Sequence, residues 1–228
     1  PGGFFEELGL RYIGPIDGHN IKDMIKLFNN VKSIDTPVLI HVVTKKGKKS
    51  DLAEDDSIKY YSLSGKNKTK ADYPSYSKAF GEIAVSAAQE KENFVCITAA
   101  MEIGTGLSDF KDKYPRRLFD VGIAEGHALT YASGFSASNI TPVIALYSTF
   151  SQRAYDNVFH DLLLQNLPFI LCLDRAGLVG EDGPTHHGVL DISMFIAMPN
   201  IIISSPKDGN ELRNLFHTAL ESKKGFVI

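Results

Sequence analysis

The chain has 228 residues, a formal net charge of −3 and 22% charged residues, a size and balance that allow a real hydrophobic core and one or two domains. That charge gives no sign of a nucleic-acid or membrane surface. No apolar run approaches the roughly 20 residues that span a bilayer, and nothing at the start has the form of a signal peptide.

The chain opens on Pro1-Gly2-Gly3-Phe4-Phe5 and stops inside the apolar run Gly225-Phe226-Val227-Ile228, which reads as a fragment of a longer protein. The two cysteines, Cys96 and Cys172, lie in strand-like runs as small core residues, and a reducing compartment fits them better than secretion. From Asn20 through Val31 the apolar residues Ile21, Met24, Ile25 and Phe28 recur at helical spacing. Pro37 to Thr44 is a β-branched run of the kind that forms a strand buried on both faces. Between Gly14 and His19 the sequence reads as a turn that sets Asp17 and His19 side by side, either for turn chemistry alone or as part of a site.

From Lys45 to Tyr73 the periodicity disappears and lysines alternate with Asp, Glu, Ser and Asn, the composition of a solvated linker. A second domain is expected from Pro74. There the pattern predicts helix 75–91, strand 94–98, helix 107–113, strand 118–123, helix 125–138, strand 142–147 and helix 150–165. It continues with strand 168–173, a polar loop 174–190, strand 201–204, helix 207–222 and a last strand from Phe226. Such alternation calls for a doubly wound parallel α/β sheet with helices on both faces.

The chemistry-bearing residues gather after the predicted strands, where open parallel sheets bind ligands. Glu125 stands at a strand-to-helix switch; alternatively it only charges the first turn of that helix. Ala99 to Gly106 carries two glycines that allow close backbone approach, or simply a tight turn. Tyr147 to Asp156 and the Gly-rich loop Asp174 to Gly188 add Arg153, Arg175, Asp182 and His186. Two arginines of this kind can grip a phosphate or carboxylate through paired donors. His160, Asp161, Asp182, His186 and His187 can be drawn as a metal site, but neither HExxH nor Cys/His spacing is present, and no metal ligand is assigned.

These residues carry a resemblance that spans nearly the whole chain. Phe5-Glu6-Glu7-Leu8-Gly9, Tyr12-Ile13-Gly14-Pro15-Ile16-Asp17-Gly18-His19, Thr44-Lys45-Lys46-Gly47, Tyr76-Ser77-Lys78, Phe119-Asp120-Val121-Gly122-Ile123-Ala124-Glu125, Tyr147-Ser148-Thr149-Phe150 and Asp182-Gly183-Pro184-Thr185-His186 occur in that order. In them the chain resembles the 1-deoxy-D-xylulose-5-phosphate synthase family of transketolase-like, thiamine diphosphate-dependent enzymes. The resemblance implies three parts: 1–45 as the end of a diphosphate-binding domain, 46–73 as a linker, and 74–228 as a pyrimidine-binding domain incomplete at its C-terminus.

It further implies thiamine diphosphate and Mg2+ as cofactors, with pyruvate and D-glyceraldehyde 3-phosphate as substrates. By this likeness Glu125 meets the cofactor's pyrimidine, Phe150 stacks on it, Met101 lines the same pocket and Lys46 contacts the cofactor. Tyr147, Arg153, Arg175 and His19 hold substrate, while Asp182 and His186 position it and move protons. A homodimer in a bacterial cytoplasm or a plastid stroma is the expected setting.

Departures accompany the likeness. Gly126 stands where the family commonly has Gln, and His187 occupies another varied position. The linker reads Lys46-Gly47-Lys48-Lys49-Ser50 instead of Lys-Gly-x-Gly-Tyr, and the His expected near Tyr60-Tyr61 is absent. The chain also has no Gly-Asp-Gly followed by Asn to bind magnesium and diphosphate, so this segment alone is expected to be inactive. A transketolase or a dehydrogenase E1 subunit would share the Glu and the fold without the Tyr-Ser-Thr-Phe and Asp-Gly-Pro-Thr-His pair. A non-catalytic domain of the same fold is the alternative from another class.

Overall fold

A computed structural model describes residues 2–55, 60, 73–180 and 182–228. Of the stretch expected to be a linker, 56–59 and 61–72 lie outside the described residues. The chain divides into two compact units, Pro1–Lys70 and Ala71–Ile228. Among the described residues no helix is long and apolar enough to cross a membrane.

The first unit runs α1 (Gly2–Glu7), β1 (Arg11–Asp17), α2 (Ile21–Val31), β2 (Val38–Val43) and α3 (Asp51–Asp55). Asn20 caps α2 by accepting the Asp23 N–H at 3.3 Å. β1 is a strand where the sequence reads largely as a turn. Its partner β2 lies about two dozen residues downstream and pairs with it in parallel, with the register shifting between Ile13 and Ile16. Only Gly18 and His19 remain in the turn that follows.

The second unit begins with α4 (Tyr76–Glu90), capped by Ser75, whose hydroxyl accepts the Lys78 N–H. β3 (Phe94–Thr98), α5 (Ser108–Lys113), β4 (Leu118–Asp120), α6 (Glu125–Ala137) and β5 (Thr141–Tyr147) follow. Next come α7 (Ser148–Ser151), α8 (Tyr155–Asn157), β6 (Phe169–Asp174), α9 (Asp191–Phe195), β7 (Ile201–Ile203), α10 (Gly209–Glu221) and β8 (Gly225–Val227). The strands form one parallel sheet in the order β4-β3-β5-β6-β8-β7.

Side chains alternate strictly across this sheet, as a period of two requires. Phe94, Cys96, Val143, Ala145, Ile170, Cys172 and Phe226 face α4, α5 and α10, packing on Phe80, Phe110 and Phe216. Val95, Ile97, Ile144, Leu146, Phe169, Leu171 and Val227 face α6 and α9, packing on Leu129, Leu162 and Phe195. Both faces are apolar because both are covered, which is why the strands read as continuous hydrophobic runs. At the N-terminal edge Arg117 ties the layers together, donating to the carbonyls of Phe94, Ala88 and Lys91 while its guanidinium lies 4.6 Å from the Phe94 ring centre.

Two elements of this unit differ from the sequence reading for identifiable reasons. β4 ends at Asp120, not at residue 123, because the Asp120 carboxylate accepts the N–H of Ala100 and of Gly122 and turns the chain there. The single helix expected over 150–165 is a relay: α7, a 3₁₀ turn at Gln152–Ala154, α8 and a π-helical stretch at Val158–Leu163. The wider turn keeps Val158, Leu162 and Leu163 buried, while Asn157 and Asp161 both meet Thr130 on α6.

Cys96 and Cys172 are both buried, and burial pushes each thiol well above its ordinary range. Iodoacetamide should leave both unmodified in the folded chain and alkylate both in urea, as read by mass spectrometry. Rapid native-state alkylation of either would contradict their placement in the sheet core.

Candidate active site

The sheet order brings the carboxyl ends of β4, β3, β5 and β6 next to one another. The connection leaving β3 runs to β4 on one side and the connection leaving β5 runs to β6 on the other, so the crevice where open α/β sheets bind ligands lies between β3 and β5. Four segments meet there: Ala99–Gly106, Val121–Glu125, Tyr147–Arg153 and, among the described residues, Arg175–Gly180 with Asp182–Gly188.

Glu125 is the first residue of α6 and only 3% exposed. A carboxylate removed from water needs a partner, and Arg153 donates to its Oε1 from Nη1 at 2.9 Å. The positive end of α6 adds a favourable field at the same place. Arg153 keeps 53% of its side chain exposed and lies 5.0 Å from the centre of the Phe150 ring. One guanidinium thus stands against both the buried carboxylate and an aromatic face.

Phe150 stacks on Tyr147, with ring centres 5.9 Å apart and planes at 15°. The His186 ring meets both edge-on, at 5.3 Å from Phe150 and 6.3 Å from Tyr147. Its Nδ1 is 2.8 Å from the Thr185 hydroxyl, and the Thr185 carbonyl accepts from Thr149 at 3.3 Å. The Arg175 guanidinium lies 4.1 Å from the centre of the Tyr147 ring. Arg175 donates from Nε to Asp182 at 3.2 Å and from Nη1 to the Gly104 carbonyl at 2.6 Å and the Ser77 hydroxyl at 3.3 Å. Asp174 adds an ion pair at 3.2 Å.

Burial works against the Arg175 charge, but Asp174, Tyr147 and Asp182 outweigh it and hold the guanidinium more firmly protonated than usual. Burial likewise raises the Tyr147 phenol against the opposing pull of Arg175. Met101 closes the set, its sulfur accepting the Tyr147 N–H at 3.3 Å.

The structure therefore joins Glu125, Arg153, Phe150, Tyr147, His186, Arg175, Asp182 and Met101 in one continuous group. His19 and Lys46 belong to the first unit. The His19 ring accepts the Lys45 N–H at Nε2 over 2.7 Å, the backbone N–H of His19 donates to the Asp17 carboxylate at 2.9 Å, and Lys46 is exposed. Among the described residues no group of three or more His, Cys, Asp or Glu side chains is arranged to hold a metal. His160 pairs with Asp156, Asp161 with Thr130, and His187 with the Val179 N–H.

Sequence reading assigned no role to three further contributors. Ser77 was part of a motif, and its hydroxyl meets Arg175 from far away in the chain. Asp120 falls within a predicted strand, although an Asp two residues before a Gly is itself a turn signal. The Gly104 carbonyl is a backbone acceptor that no side-chain pattern announces.

Comparison with known proteins adds to this geometry. Residues 72–228 match the family model described as "Transketolase, pyrimidine binding domain" and residues 1–44 the one described as "1-deoxy-D-xylulose-5-phosphate synthase". The chain is 50% identical over 234 residues to the 1-deoxy-D-xylulose-5-phosphate synthase of Aquifex aeolicus, covering 100% of this chain and 37% of that protein. It is 50% identical over 222 residues to the enzyme of that name from Thermomicrobium roseum, covering 97% and 35%. The chain thus spans little more than a third of the length of these curated relatives. A transketolase crystal structure from Campylobacter jejuni superposes with a TM-score of 0.61 at 18% identity, over 98% of this chain and 46% of that one, a likeness of fold.

A Cβ added at Gly104 would fall 1.9 Å from the Tyr147 hydroxyl and 2.8 Å from its ring. Gly104→Ala should therefore lower stability by about 1–3 kcal/mol, measured by urea unfolding. Tyr147→Phe in the same background should recover part of that loss, and a double variant no better than Gly104→Ala alone would show that the clash lies elsewhere.

Proposed function

This chain belongs to the family of transketolase pyrimidine-binding domains, and we propose that the whole protein is a 1-deoxy-D-xylulose-5-phosphate synthase. It would join pyruvate to D-glyceraldehyde 3-phosphate with loss of carbon dioxide, giving 1-deoxy-D-xylulose 5-phosphate for isoprenoid synthesis. The observation that carries this reading is the continuity of the site. A buried carboxylate at one end and the Arg175 guanidinium at the other are linked by one pair of stacked aromatic rings.

Thiamine diphosphate, when bound, supplies the nucleophilic carbon and the electron sink for decarboxylation and carbon–carbon bond formation. The residues present fit it: Glu125 offers a desolvated carboxylate suited to a ring nitrogen, Phe150 a flat face for a pyrimidine, and Met101 an adaptable apolar wall. Lys46 is assigned to the same cofactor. Magnesium and the diphosphate are assigned to residues of the whole protein outside this chain.

In this reading Tyr147 and Arg175 receive the acceptor's phosphate. The Arg175 charge is secure, and its planar fork suits phosphate oxygens. Arg153 holds Glu125 with Nη1 and presents its half-exposed side to substrate; His19 is a further substrate contact from the first unit. His186 is edge-on to the two rings, so a substrate bound beside them lies within its reach for proton transfer, and Asp182 sets the acceptor's position through Arg175. We assign the protein a homodimeric state and a bacterial cytoplasm or plastid stroma as its compartment.

The test is a product assay on the whole protein with magnesium, thiamine diphosphate, labelled pyruvate and D-glyceraldehyde 3-phosphate. Label should appear in 1-deoxy-D-xylulose 5-phosphate, and Glu125→Ala should lower kcat by about 100-fold or more. Cofactor binding without that product would redirect the reading to another thiamine enzyme, and failure to bind cofactor would favour a non-catalytic domain.

A further inference from the structure

The segment that carries Asp182 and His186 is closed at its base by a backbone pair: Gly177 N–H donates to the Gly188 carbonyl at 2.8 Å, and Gly188 N–H returns the bond to Gly177 at 2.9 Å. Gly188 is buried against the Ser148 side chain, and Ser148 donates in turn to Asp191 at 2.9 Å, so the base of the loop is pinned to α7 and α9. Within the loop, the Val179 N–H donates to Nδ1 of His187 at 3.1 Å, across eight residues. His187 is half-buried, and it follows His186 directly in the chain. This one imidazole therefore ties the outgoing arm of the loop to the returning arm that bears His186.

We propose that His187 is a positioning residue for the site, acting as a hydrogen-bond acceptor that clasps the two arms of the loop and sets where Asp182 and His186 stand. Acceptance at Nδ1 fixes the neutral tautomer with its proton on Nε2. Without the clasp, the backbone pair at Gly177 and Gly188 still closes the loop, and among the described residues the path between keeps the Arg175–Asp182 ion pair, the Thr149–Thr185 bond, the Gly183–His186 turn bond and the edge contacts of the His186 ring with Phe150 and Tyr147, while the direct tie from Val179 to the returning arm is lost. Displacing a catalytic group by about 1 Å can cost about 100-fold in rate, so a single lost acceptor one residue from His186 matters to turnover more than to folding. The inference rests on the functional reading above for its kinetic consequence and on the geometry alone for the clasp.

Asn places its side-chain oxygen where the imidazole has Nδ1, whereas Leu fills similar space with no acceptor, so the two variants separate hydrogen bonding from packing. In the whole protein with cofactor bound, His187→Leu should lower kcat by about 10- to 100-fold with thiamine diphosphate affinity unchanged, and His187→Asn should stay close to the parent. Amide hydrogen exchange at Val179 reads the clasp without any turnover: protection should fall about tenfold in His187→Leu and persist in His187→Asn. Equal Val179 exchange in all three proteins would overturn the clasp itself. Intact kcat in His187→Leu, or equal damage in both variants, would overturn the positioning role. A parent that shows the clasp but forms no five-carbon sugar phosphate would refute the functional reading and leave the clasp standing.

Discussion

Everything at the candidate site depends on the fact that all six strands of the second unit run the same way. Parallel strands deliver their carboxyl ends to one edge, and the reversal of strand order between β3 and β5 opens that edge instead of sealing it. Met101 and Tyr147 leave the two strands that flank the reversal, and the 3.3 Å contact from the Tyr147 N–H to the Met101 sulfur spans it. Thr98 and Asp120 hold the neighbouring pair in register: β3 and β4 align as Thr98 with Asp120, the Val121 N–H reaches the Thr98 carbonyl, and Asp120 takes the Ala100 N–H. The loops of the site are therefore fastened at their roots by strand pairing, and the side chains they present are free to be polar.

Glu125 shows what that fastening permits. A carboxylate with 3% exposure is costly to keep, and losing its partner in a fully buried ion pair costs about 3–5 kcal/mol. The present pair lies below that range, because half of Arg153 is in contact with water and is screened by it. The arrangement is asymmetric: the carboxylate is fixed, and the guanidinium is its exchangeable partner. A ring nitrogen of a bound cofactor can replace part of what Arg153 supplies, whereas a group paired on both sides in a dry core could not be addressed from outside. The asymmetry also sets Glu125 apart from an ordinary residue charging the first turn of a helix, which would face solvent.

The sheet was legible because its signals are local. The alternation of Phe94-Val95-Cys96-Ile97 between two faces, and the same in β5 and β6, is a continuous apolar run with small or polar residues at each end. The site was legible as types at strand ends: Glu125, Arg153, Arg175, Asp182 and His186 come together as those positions require. What was not legible depends on partners far apart in sequence. β1 needs β2 to be a strand, so its second half, residues 14–17, reads as part of a turn. The π-helical stretch depends in the same way on a contact with α6, whereas the end of β4 is the exception, a local turn in which the Asp120 side chain bonds its own backbone two residues on. The assignment of Arg153 to substrate missed its ion pair for the same reason, since Glu125 and Arg153 sit on different elements 28 residues apart.

The departure at Gly126 has a structural counterpart. It is the second residue of α6, next to Glu125, yet a Cβ there would point at the Asn157 amide oxygen, 2.9 Å away. Asn157 is itself engaged with Thr130 and Asp161, so the space a longer residue 126 would need is already used by the contact between α6 and the relay after α7. A side chain at 126 would require the Asn157 amide to give way; a Gly requires nothing. The change is thus met by Asn157, a polar group that serves α6 packing. Residue 126 and residue 157 form one unit, and the identity of either is best understood from the other.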